Sequence, residues 1–207
     1  NVVTADPKLE KLEGSGSFAY GNYNLLKMEG GMNVPLGDNT ALRAAFSSSV
    51  HDGYLSNGED DLDSKAGRVK FLYKPNDRIS IVTTGEISKS IGQGYSGAKL
   101  FINQDDATFI DGTPLKDPWT SKDAASGLAT RMSEKRISAH IDYDLGYAGT
   151  LSVIPSYTKA ANYRSGPQEM AGGPPGTEVE ADATLDGTSD EKGVEARMAS
   201  SADFPFI

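Results

Sequence analysis

Hydrophobic and polar residues alternate over long stretches of this chain. Between Leu26 and Val34, one set of alternate positions carries Leu26, Met28, Gly30, Met32 and Val34, and the other carries Lys27, Glu29, Gly31 and Asn33. A period of two marks a β-strand whose side chains leave on opposite faces, here one apolar and one polar. The pattern returns as Leu42, Ala44 and Phe46 against Arg43, Ala45 and Ser47, and as Val69, Phe71 and Tyr73 against Arg68, Lys70 and Leu72. Ile79, Ile81, Thr83 and Ile87 then oppose Ser80, Thr84, Glu86 and Ser88, with Val82 as an exception. The cleanest run sets Ile137, Ala139, Ile141, Tyr143 and Leu145 against Ser138, His140, Asp142 and Asp144. Leu151, Val153 and Tyr157 follow, then Val194, Ala196 and Met198, and a weaker run covers Gly14 to Tyr20. The pattern predicts eight strands, near 13–21, 24–36, 40–50, 64–74, 78–90, 133–146, 149–159 and 190–200, and no helix. Most are about ten residues long, beyond the usual globular strand and long enough to cross a bilayer at a tilt of about 45°. Pro155 interrupts one of them, and because it cannot donate a ladder hydrogen bond, a bulge or local break is expected there.

The connections alternate in length. Gly37-Asp38-Asn39-Thr40, Pro75-Asn76-Asp77-Arg78 and Gly146-Tyr147-Ala148-Gly149 are tight-turn chemistry. Between them lie longer loops, about 51–63, 91–132 and 160–189. In an up-and-down meander, alternate connections share an end, so the tight turns gather at one end and the long loops at the other. Outer-membrane barrels have this asymmetry. The fold class expected is therefore all-β: an antiparallel up-and-down meander of about eight long strands of a transmembrane β-barrel.

Composition narrows the choice further. Leu, Ile, Val and Phe make up 41 of 207 residues, a fraction that borders on too polar for an ordinary core. Cys is absent, which removes disulfides and thiolate chemistry. No apolar run is long enough for a transmembrane helix. The net charge is −9, which argues against a nucleic-acid partner. That acidity sits in the long connections: regions 50–65, 160–192 and 91–131 carry −4, −5 and −1, leaving the strands and turns near neutral.

Candidate chemistry is sparse. Gly92-Gln93-Gly94-Tyr95-Ser96-Gly97 matches a dinucleotide fingerprint literally, but no helical period follows it, and it reads as a loop. The only histidines are His51 and His140, too few for a histidine-based zinc site. Glu59-Asp60-Asp61 with Asp63 lacks the Gly and distal Glu of a calcium loop and reads as a solvated acidic stretch. No nucleophile elbow is present. These residues suggest no enzyme, no metal site and no cofactor. On the polar face, Arg43, Arg68, Lys70, Glu86, His140 and Asp142 would line a barrel interior, while Leu26, Met28, Met32, Val69, Phe71, Ile137, Ile141 and Tyr143 would meet lipid. Phe109 and Trp119 fall in the longest loop, where an aromatic ring either stacks on a sugar or an aryl siderophore or packs within the loop; they are the weak ligand-binding candidates.

Several segments together resemble TonB-dependent outer-membrane receptors. Asn1-Val2-Val3-Thr4 followed by Pro7 is similar to the end of that family's plug domain, where the chain enters the barrel. Gly14 to Tyr20-Gly21-Asn22-Tyr23 looks like the first barrel hairpin, and Leu42-Arg43 with His51-Asp52-Gly53-Tyr54 looks like the next outward strand and loop. The resemblance covers about residues 1–90; beyond that it rests on strand and turn architecture. It implies that residues 1–7 end the plug and that 8–207 form the N-terminal third of a 22-stranded barrel, with the TonB box and nearly all of the plug missing. It also implies a location in the outer membrane of a Gram-negative bacterium, contact with its lipid, a link to the TonB complex through the missing plug, and uptake of a scarce ligand such as an iron–siderophore chelate. Two alternatives remain at this level: a soluble carbohydrate-binding β-sandwich, and a complete eight-stranded outer-membrane barrel.

Overall fold

A computed structural model describes residues 4–93, 102–103, 108–109, 129–169 and 180–201. Eight long strands form one antiparallel sheet in chain order: β1 (Glu13–Gly21), β2 (Leu25–Gly37), β3 (Thr40–His51), β4 (Leu62–Asn76), β5 (Ile79–Gly92), β8 (Ala129–Asp144), β9 (Thr150–Glu169) and β10 (Glu180–Ala199). The two-residue strands β6 (Ile102–Asn103) and β7 (Thr108–Phe109) pair with each other between β5 and β8. The meander read from the alternation is thus the fold. It is a single layer, with no second sheet packed against it among the described residues, which removes the sandwich. β1 and β10 are the two ends of the strand order and do not pair with each other, so the sheet is not a closed eight-stranded barrel either.

Register converts the alternation into faces, because directly opposed residues project to the same side. Met32 opposes Ala44, Ala44 opposes Val69, Val69 opposes Gly85, Gly85 opposes Ile137 and Ile137 opposes Tyr157. One step away, Asn33 opposes Arg43, Arg43 opposes Lys70, Lys70 opposes Thr84 and Thr84 opposes Ser138. One face is therefore apolar and the other polar across all eight strands. The apolar face is uncovered: Phe18, Phe46, Ile87, Ile137 and Val194 are all more than half exposed.

The long-loop and tight-turn ends separate as expected. At one end the turn after β1 touches the β3–β4 loop, with Asp52 N–H donating to Tyr23 O at 2.8 Å. At the other, Lys74 N–H donates to Asn39 O and Asp144 N–H to Arg78 O, both at 2.8 Å. Two bulges sit beside the tight turns, between Pro35 and Gly37 and between Tyr73 and Asn76. Pro35 and Pro75 fall within them, where a missing N–H disturbs the ladder least.

Two expectations are corrected, and the break expected at Pro155 is found. Residues 160–169 and 180–189, expected in a loop, belong to β9 and β10, which stay paired out to Glu169 and Glu180. The loop expected at 91–132 ends earlier, at the start of β8 at Ala129. In these outer stretches the few apolar residues, Met132, Ala161, Tyr163 and Leu185 among them, fall on both faces, so no alternation marks them, yet the backbone hydrogen bonds every residue can make extend the ladder. Pro155 produces a break without a bulge. The β8–β9 register skips from Ser138↔Ser156 to Ile141↔Val153 and resumes unshifted, while Pro155 still opposes Val194 on the β10 side.

Candidate functional site

Apart from Glu59 in the β3–β4 loop, the buried side chains of the sheet gather on the polar face toward the tight turns. Asn33 and Ala41 are fully buried and Leu72 and Lys70 nearly so; Pro7 is buried as well. Residues 4–12 cross the sheet here. Asn33 grips them with its whole amide: Oδ1 accepts from Lys8 N–H at 2.8 Å, and Nδ2 donates to Lys8 O at 2.9 Å and Lys11 O at 2.6 Å. A buried amide with all these bonds satisfied is favourable, whereas an unsatisfied one is costly. Lys70 adds an outer hold, its Nζ reaching Asp6 Oδ1 at 2.6 Å and Thr4 O at 3.1 Å. Where β1 begins, Glu13 gathers Lys8 at 2.7 Å, Lys11 at 3.3 Å and Arg43 at 3.7 Å.

Farther along the same face, Arg68 Nε binds Glu86 Oε1, and Arg136 approaches Glu86 at 4.0 Å and Glu134 at 3.7 Å. Arg136 Nε also donates to Thr158 Oγ1 at 3.1 Å. These charges bridge β4, β5, β8 and β9 above a shallow floor that includes Ala45, Ser47, Ala66 and Ser88. His140 Nε2 lies 3.1 Å from Asp142 Oδ1, which also accepts from Ser152 Oγ at 2.5 Å. The six polar-face residues read from the sequence thus divide among three separate groups and form no single centre. Arg43 and Lys70 meet the N-terminal segment, Arg68 and Glu86 pair at mid-strand, and His140 and Asp142 pair toward the tight turns.

At the long-loop end, His51 stacks on Tyr54 with ring centroids 4.6 Å apart, and Tyr54 meets the edge of Tyr23 at 4.9 Å. His51 is therefore packed against an aromatic ring. Tyr23 (φ 57) and Asn24 (φ 52) are both left-handed, a conformation tolerated by Asn and disfavoured for Tyr. Asn24 Nδ2 donates to Asp52 Oδ2 at 2.5 Å. Gly53 is required by close approach: a Cβ there would come within 2.1 Å of Gly58 O. The acidic loop is also more ordered than a solvated stretch, since Glu59 is fully buried and Gln93 N–H donates to Asp61 Oδ1 at 2.5 Å. Trp119 and Gly94 to Gly97 lie outside the described residues, as does the Phe109 side chain. No group of acids and histidines suited to a metal ion occurs among the described residues. Asn33 and the segment it holds escaped sequence reasoning. The only available signal was an amide among charged polar-face residues, opposite Arg43.

The architecture, one antiparallel meander with an apolar and a polar face, is that of part of a β-barrel wall. Two solved structures share it, both of the ferric-catecholate import receptor Fiu from E. coli K12. The open form matches with a TM-score of 0.77 at 10% identity, over 93% of this chain and 31% of that one. The closed form matches with a TM-score of 0.68 at 12% identity, over 89% of this chain and 28% of that one. The chain thus spans about a third of the receptor it matches, and the likeness is one of fold. No protein-family model matches the chain, and no curated protein matches it in sequence.

Proposed function

We propose that this chain belongs to the barrel of a TonB-dependent receptor in the outer membrane of a Gram-negative bacterium. Its apolar face meets lipid and its polar face lines the lumen. Residues 1–7 end the plug and 8–207 are barrel. The substrate class is a scarce small molecule, an iron–siderophore chelate or similar, drawn in without bond chemistry and with energy delivered by the TonB complex through the plug. The observation that carries this reading is the pairing of two features at opposite ends of one sheet. Long loops stand at one end; at the other, residues 4–12 are clasped onto the polar face by a fully buried Asn33. A lumen-facing segment entering beside the short turns is what a plug-to-barrel connection requires. An uncovered apolar face supports lipid contact, since apolar surface this extensive rarely faces water. A closed barrel is the only sheet lipid tolerates, so the remaining strands complete the wall. Arg68, Glu86 and Arg136 then stand in the lumen, where a plug or passing ligand meets them, with Phe109 and Trp119 in an outer loop.

The test is uptake of labelled iron chelates by cells whose only receptor is the intact protein, with and without a functional TonB complex. TonB-dependent accumulation of one chelate supports the proposal. Heat-modifiable migration in detergent with no uptake of any metal chelate leaves the barrel standing and overturns the substrate class. Solubility of the intact protein without detergent overturns the membrane reading.

A further inference from the structure

We propose that the long-loop margin of the apolar face binds the phosphates of anionic lipid headgroups through a line of five lysines; this rests on the membrane reading above. The register places Lys65, Lys89, Lys135, Lys159 and Lys192 on the apolar face, not the polar one. Lys65 directly opposes Lys89, Lys135 directly opposes Lys159, and Lys192 opposes Tyr157. On each strand, the next residue of that face toward the tight turns is Gly67, Ile87, Ile137, Tyr157 or Val194. The next residues of that face beyond the lysines are Asp63, Ser133, Ala161 and Asp190, with Ile91 past Lys89 the exception, so the lysines mark the margin of the apolar band.

That line is oblique to the strands, and the angle is informative. The residues level with Lys65 across the sheet are Lys89, Ser133, Ala161 and Thr188. On β10 the lysine is Lys192, four residues farther toward the tight turns. Four inter-strand steps cover about 19 Å and four residues about 14 Å, so the line slopes by roughly 35°. Strands of membrane barrels tilt by roughly 35–45°. At that tilt the lysines stand at one height along the membrane normal, directly above the apolar band, which is the level of the headgroups.

Four of the five charges lack a carboxylate partner among the described residues. All five lysines are exposed. Lys65 pairs with Asp63 of its own strand at 2.9 Å. Asp190 opposes Lys159 but accepts from Tyr157 Oη at 2.6 Å. Lys89, Lys135, Lys159 and Lys192 form no ion pair among the described residues. Like charges placed directly opposite each other destabilise a sheet, and here two such pairs occur side by side. Phosphate between them relieves the repulsion, and a lipid supplies phosphate at this height while its chains cover Ile87, Ile137 and Val194.

The experiment uses the intact protein, wild type and with Lys89, Lys135, Lys159 and Lys192 each changed to Gln. Both are refolded into vesicles of phosphatidylcholine containing a minor fraction of phosphatidic acid, and co-purifying lipid is counted after mild detergent extraction. Wild type should retain phosphatidic acid selectively, and the quadruple variant should lose that preference by roughly tenfold or more. Lys135→Gln with Lys159→Gln serves if the quadruple variant does not fold, as judged by heat-modifiable migration. Normal insertion with an unchanged preference overturns this inference alone. Displacement of the lipid by millimolar inorganic phosphate overturns lipid as the source. Failure of the wild type to insert overturns the membrane reading itself.

Discussion

Replacing Asn33 with Ala should release residues 4–12 from the sheet while leaving the strands intact. Three hydrogen bonds disappear, to Lys8 N–H, Lys8 O and Lys11 O. Each contributes about 1 kcal/mol net, and more where the abandoned partner stays buried. Lys8 and Lys11 themselves are exposed, so water reaches their backbone once the segment lifts, and the cost stays near the lower bound. The sum is roughly 3 kcal/mol, a shift of about a hundredfold in the equilibrium between held and released segment. Hydrogen exchange of the intact protein in detergent reads this directly. The Lys8 amide, protected by Asn33 Oδ1, should exchange about a hundredfold faster in Asn33→Ala, while amides of β3 and β4 stay unchanged. Asn33→Asp keeps one acceptor, loses both donors and points an anion at two carbonyls, so it should be no better. Unchanged exchange at Lys8 in both variants would show that Asn33 does not hold the segment.

Three further outcomes follow from the faces and edges. In the intact protein, Ile141→Arg, midway along the apolar run from Ile137 to Leu145, should cost roughly 2–4 kcal/mol of barrel stability by detergent refolding titration. His140→Arg, one residue away on the polar face, should cost far less; equal costs would contradict the assignment of faces. Gly53→Ala should force the β3–β4 loop apart, because the new Cβ meets Gly58 O at 2.1 Å; about 1–3 kcal/mol of local strain should appear as lost protection of the Gly58 amide, which donates to Leu55 O at 2.9 Å. The 207-residue chain expressed alone without detergent should aggregate, since β1 and β10 present open edges and the apolar face is bare; a soluble monomer with a cooperative melt would overturn the barrel reading.

The strands inside the apolar band were legible because a face in contact with an apolar medium must alternate with one that is not. Ile137 to Tyr143 carries that signature on its own, and β8 duly spans it. The outer parts of β9 and β10 were not legible: Ala160 to Glu169 has no apolar–polar alternation, and its ladder depends on backbone groups common to nearly every sequence. His140 and Asp142 were readable as face-mates from their spacing of two. The division of Arg43, Lys70, Arg68 and Glu86 into separate groups was not, because it depends on which strands sit side by side and in what register.

The sequence by itself determined strand class, strand count, which residues share a face, and the sorting of tight turns from long loops. Each follows from local steric period and turn chemistry, which act within a few residues. Only the tertiary structure decided that Asn33 closes over Lys8 and Lys11, that Gly53 lies against Gly58, and that five lysines from five strands fall on one oblique line. Those depend on contacts between segments far apart in the chain. Their energies come from burial and register across the sheet, and no local window of sequence contains both partners.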